Sequence, residues 1–101
     1  MTTNTREKNI MISTPISPRA RQASIAALAE AATQMVAESG MTRAAVAAEL
    51  KIGVGALRRR LRGQTPLVLT DFLGLARCLD VPVLVVWDRF ERAWRDAVVN
   101  A

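Results

Sequence analysis

Residues 41–63 read MTRAAVAAELKIGVGALRRRLRG, and the reading of this stretch decides the fold. Thr42 is a good N-cap, and the Ala-rich run from Arg43 to Leu50 favours helix over strand. Lys51-Ile52-Gly53 interrupts it. Val54 to Arg62 then reads as a second short helix, stopped by Gly63. On a wheel at about 100° per residue, Leu57 and Leu61 share one face of this second helix, with Val54 at its edge. Gly55, Arg59 and Arg62 lie opposite and Arg58 lies between, so one face packs and the other is cationic.

The same stretch holds nearly all the surplus charge. Arg43, Lys51, Arg58, Arg59, Arg60 and Arg62 stand against the single acid Glu49, whereas the segments on either side nearly cancel and the whole chain is +5. A cationic patch on an otherwise balanced chain is the footprint expected for a polyanionic partner, because each cation set against a phosphate releases a condensed counterion. Both Trp and both Phe lie outside residues 41–63. An RNA-binding surface built on stacking aromatics is therefore not indicated there.

Working outward, Ser17-Pro18 predicts the start of a long first helix, with Ile25, Leu28, Ala32, Met35 and Val36 on one face and Gly40 at its end. Residues 1–16 mix polar and charged types without a period and read as a disordered arm. Beyond Gly63, Gln64-Thr65-Pro66 is a turn or extended link. Thr70 or Asp71 is the expected cap of a fourth helix, with Phe72, Leu73, Leu75, Ala76 and Leu79 pointing inward, and Asp80-Val81-Pro82 leads into a fifth. The expectation is one all-α domain over residues 17–101.

At 101 residues the chain is long enough for one core and too short for a second, sensing domain. Cys78 is alone and there is no His, which argues against disulfides, thiolate–imidazole pairs and the commonest metal ligand. No metal, cofactor or small-molecule ligand is expected. The acids Asp88, Glu91 and Asp96 alternate with Arg89, Arg92 and Arg95 and read as surface pairs rather than an acid–base cluster. An enzyme is accordingly the least indicated class. The start of the chain lacks a signal-peptide pattern, and no apolar run approaches a membrane span, so a soluble, cytoplasmic protein is expected.

Two short helices joined by a three- or four-residue turn, the second rich in arginine, form a helix-turn-helix arrangement. The run Thr42 to Leu50, then Ile52 to Leu57, then Gly63, followed by Leu75-Ala76-Arg77-Cys78-Leu79-Asp80-Val81-Pro82, resembles the Cro/repressor (Xre-like) family over roughly residues 24–90. The stretch Leu57-Arg58-Arg59-Arg60-Leu61-Arg62-Gly63-Gln64-Thr65-Pro66 is also similar to small repressors of actinobacteria and their phages. The resemblance implies a five-helix repressor-like fold, a partner in double-stranded DNA and a recognition helix at residues 54–62 lying in the major groove. It wants a small residue at Ala47, so that the two motif helices approach closely. It places Val54, Gly55 and Arg59 against base edges and Arg43 against a phosphate. Arg58, beside them, is also read as a base contact and Thr42 and Arg62 as phosphate contacts, whereas Arg60 points away from the groove face and either covers apolar surface or reaches a flanking phosphate. Two departures stand out. Lys51 sits where the family often has Gly, and the polar readers usual early in the recognition helix are replaced by Gly53, Val54 and Gly55.

The last helix carries the second informative pattern. Val83, Trp87, Phe90, Trp94 and Ala97 alternate spacings of four and three, an a/d seam, with Leu84 and Val86 off the seam and assigned to the core. Either this seam forms a symmetric dimer interface through Val83, Trp87, Phe90 and Trp94, or it folds back on the first helix. The function expected is a DNA-binding transcription regulator of repressor type, a phage immunity repressor or Cro-like protein acting as a homodimer. The alternative is a protein-interaction adaptor or antitoxin working through the C-terminal aromatic helix.

Overall fold

The computed structural model of the protein describes residues 17–100. Helix α1 (Pro18–Ser39) starts where the sequence predicts: the Ser17 hydroxyl oxygen accepts the Ala20 N–H at 3.1 Å, and Pro18 follows it. Gly40, at φ 70°, ends it. Helix α2 (Arg43–Leu50) opens with the Thr42 hydroxyl oxygen accepting the Ala45 N–H at 3.1 Å. Helices α3 (Val54–Leu61), α4 (Leu69–Leu79) and α5 (Val83–Asn100) complete the chain. The described residues form five helices and no strand, as an all-α domain requires. The arm expected over residues 1–16 lies outside the described residues.

Each helix contributes a large, fully buried apolar side chain to a common core: Met35, Val46, Leu57, Leu75 and Val86 in chain order. The most extensive pairing is between α1 and α5. These two run antiparallel, with Arg89 meeting Glu38 at one end and Ala97 lying beside Ala27 at the other. Arg89 grips Glu38 with two hydrogen bonds of 2.6 and 2.8 Å, which hold the Glu38 carboxyl below its ordinary pKa. A lowered folded-state pKa means the tie is present above the ordinary carboxylate pKa and is lost as pH falls through the lowered value. Helix α4 lies so close to α2 that a Cβ on Gly74 would stand 2.6 Å from Leu50 Cδ1, so glycine is required there for close approach.

Four sequence expectations are corrected. Helix α4 starts at Leu69 rather than behind a Thr70 or Asp71 cap. Val68 precedes it, and the Asp71 carboxylate reaches back to accept the Val68 N–H at 2.9 Å, the acidic half of a capping box. Leu73 is exposed, and so is Leu84, at 76%. Each lies two residues, about 200° of helix rotation, from a buried neighbour, Leu75 or Val86, and so faces away from the core. Phe90 is not at a surface: it is 2% exposed and stacks on Phe72 with ring centroids 4.5 Å apart.

Candidate nucleic-acid interface

Helices α2 and α3 are joined by Lys51, Ile52 and Gly53, and the geometry of that turn rests on Lys51. Its backbone is left-handed, φ 62° and ψ 40°, a conformation that is uncommon for a residue carrying a Cβ. Local bonding makes it tolerable. The Lys51 N–H donates to Ala48 O at 3.1 Å and the Ile52 N–H to Ala47 O at 3.0 Å, the paired bonds of a Schellman ending, while Ile52 packs against the core as the accompanying apolar contact. The turn therefore forms without glycine at its left-handed position.

Helix α3 is anchored on three sides. Leu57 and Leu61 are buried in the core. The Thr33 hydroxyl of α1 lies 2.9 Å from Ala29 O and 3.2 Å from Leu61 O, sharing its one hydrogen between them. Gly63, left-handed at φ 74°, sits against Ile25, Ala26 and Ala29 of α1. The third anchor is ionic. Arg60 Nη1 donates to Asp71 Oδ1 at 2.7 Å, with side-chain exposures of 20% for the arginine and 0% for the aspartate. Both carboxylate oxygens are thus occupied, one by α3 and the other by the Val68 N–H.

That pair bears on the two roles the sequence left to Arg60, apolar cover or a flanking phosphate. The side chain lies about three residues' rotation from Leu57 and one from Leu61, so it leaves α3 on the inner side, towards α4. There it is held by Asp71 as an internal strut. Arg58, Arg59 and Arg62 remain exposed on α3, and Thr42 and Arg43 are exposed at the start of α2. None of these four arginines is ion-paired within the described residues.

Arg58 and Arg59 are brought together. Measured from where a Cβ would stand on Gly55, Arg59 Nη1 is 3.5 Å away and Arg58 Nη2 is 4.0 Å away. Helical side chains lean towards the N-terminus and cover the turn before their own Cα, so both guanidiniums lie over the first turn of α3. Two cations held near one point repel each other, and an acceptor-rich ligand relieves that repulsion. The start of α3, poor in polar readers by sequence, is therefore supplied with donors from one turn further on. Val54 is exposed beside it.

The α5 residues divide. Trp87 and Trp94, 49% and 40% exposed, flank one apolar groove with Leu28, Phe72 and Glu91, floored by Phe90. Val83 lies in a separate recess with Leu73 and Pro82. Phe90 and Ala97 turn inward, so the seam serves the fold with one edge and leaves the other uncovered. The outer residues Asp88 and Arg92, at 2.6 Å, and Glu91 and Arg95, at 2.8 Å, pair at helical spacing.

Sequence reasoning missed Asp71 as the residue that aims α3. The available signal was an acid at the third helical position, three residues beyond an apolar cap, Val68. Cys78 is half-buried, and burial, with Glu49 nearby, pushes its thiol pKa up, which disfavours the nucleophilic thiolate. Among the described residues no cluster of His, Cys, Asp or Glu is placed to hold a metal ion, and no helix is long and apolar enough to cross a membrane. Comparison with protein-family models, with curated proteins and with solved structures finds no match for this chain.

Proposed function

We propose that the protein is a sequence-specific double-stranded DNA-binding regulator that lays α3 in the major groove and represses by occupying an operator. The observation that carries this reading is the unpaired guanidinium pair of Arg58 and Arg59 over Gly55, on a helix anchored through its opposite face. Arginine donates two hydrogen bonds to guanine O6 and N7, the commonest specific base contact. Val54 supplies an apolar contact for a thymine methyl, while Arg62, Arg43 and Thr42 serve phosphates. Fragments selected from genomic DNA, followed by gel shifts at several salt concentrations, test it. Arg59→Ala is expected to weaken binding to the selected site about 10- to 100-fold and to relax its guanine preference. If the wild type prefers no fragment over bulk DNA at about 150 mM salt, the proposal fails.

The regulator acts as a homodimer through the uncovered edge of α5. Leu84, Trp87 and Trp94 are exposed on one side of this helix. An antiparallel pairing of two α5 helices sets Trp87 against the second copy's Trp94. Two-fold symmetry then spaces two recognition helices about 34 Å apart on an inverted-repeat site. Sedimentation of Trp94→Asp beside wild type is expected to show a monomer against a dimer. An unchanged mass overturns the interface. The same exposed tryptophans are what favour the second reading, an adaptor or antitoxin whose partner is a different protein; that reading expects Arg58→Ala/Arg59→Ala to leave activity intact.

A further inference from the structure

Gly55 occupies the second position of α3, inside a helix, where glycine is a poorer choice than alanine. Neither of the usual internal reasons for a glycine applies to it. Its backbone is not left-handed, unlike that of Gly40 and Gly63. No backbone and no apolar side chain presses on it, unlike Gly74, whose Cβ would collide with Leu50. Among the described residues, the only atoms within 4 Å of an added Cβ, beyond its chain neighbours and its own helix backbone, are the tips of Arg59 and Arg58. The fold has room for a side chain there and does not carry one.

We infer that Gly55 is kept bare for the partner: it is the specificity-determining gap of α3, into which the edge of a guanine base fits beneath the two guanidiniums. This rests on the DNA-binding reading. A Cβ at this position would take the space between α3 and the floor of the groove, so its absence lets the helix sit closer and brings Arg58 and Arg59 within reach of one base-pair step. The chemistry selects guanine. Its major-groove edge presents two acceptors, O6 and N7, whereas adenine and cytosine present an amino donor that would face a guanidinium donor unfavourably. The departure from a polar reader at this position is then a different device for reading: two long donors arching over an empty site.

Gly55→Ala tests the inference, because fold and recognition are expected to move in opposite directions. The added Cβ meets Arg59 Nη1 at an ordinary contact distance of 3.5 Å, so the thermal midpoint is expected to be unchanged or a few degrees higher. Affinity for the selected site is expected to fall at least tenfold, with the preference at the affected guanine reduced, while binding to bulk DNA and its salt dependence stay the same. A variant that binds the selected site as wild type does overturns the inference and leaves the DNA reading standing. A lowered thermal midpoint assigns Gly55 an internal role and also overturns it. A wild type that selects no fragment removes both readings, and that result is obtained before the variant is made.

Discussion

Replacing Asp71 with Ala is expected to lower the free energy of unfolding by about 3–5 kcal/mol, the usual cost of breaking a buried ion pair by removing one partner. Asp71 is fully buried and holds both Arg60 Nη1 and the Val68 N–H. Its loss leaves an arginine, its side chain four-fifths buried, without a counterion and an orphaned donor at the start of α4. Against a typical domain stability of about 5–15 kcal/mol, this is a large fraction. Urea denaturation followed by circular dichroism measures it. Arg60→Met/Asp71→Leu is expected to recover much of the loss, since an apolar pair avoids burying charge. The same experiments separate strut from DNA contact. If Arg60 met a phosphate, Arg60→Met/Asp71→Leu would reduce the salt slope of DNA binding by about one; the geometry predicts an unchanged slope. A midpoint for Asp71→Ala within experimental error of wild type would show that the pair does not hold α3 to α4.

Phe90→Ala is expected to cost about 3–5 kcal/mol as well, from lost apolar burial plus the cavity left behind. Phe90 is nearly inaccessible and stacks on Phe72, which in turn lies 5.6 Å from Trp87. Removing it opens the space between α4 and α5 rather than a surface. Trp94, one turn on, is expected to behave in the opposite way. Its replacement by Asp changes the association state with a much smaller effect on monomer stability, because much of its side chain is already in water. Denaturation midpoints for Phe90→Ala and Trp94→Asp, taken at several protein concentrations, distinguish the two roles. Only a dimer-linked loss depends on concentration. If Phe90→Ala unfolds at the wild-type denaturant concentration, the assignment of Phe90 to the core is wrong.

The parts of this fold that depend on near neighbours in the chain were readable. Ser17, Thr42, Gly40 and Gly63 mark helix ends through bonds spanning three to five residues. The amphipathic pattern of α3 likewise separated Leu57 and Leu61 from Arg58, Arg59 and Arg62 by rotation alone. Residues whose role depends on a distant partner were not readable. Rotation alone turns Arg60 away from the cationic face, but only the placement of α4 supplies its partner Asp71, eleven positions away. The seam on α5 has two edges of similar hydrophobicity. Which edge is covered depends on where α1 and α4 lie, so Phe90 went inward and Leu84 outward for reasons no periodicity contains.

By itself the sequence determined where the helices are and that a cationic face stands on α3, because helix caps, turn residues and side-chain rotation act within a few residues of one another. The tertiary structure decided which of those cations are available. Burial of Asp71 draws Arg60 into the protein, the lean of α3 side chains gathers Arg58 and Arg59 over Gly55, and the Schellman bonds at Lys51 allow a left-handed turn residue other than glycine. Charge is a property of a residue; whether it is spent on an internal partner or left for an external one depends on desolvation and on distances fixed only when the helices pack.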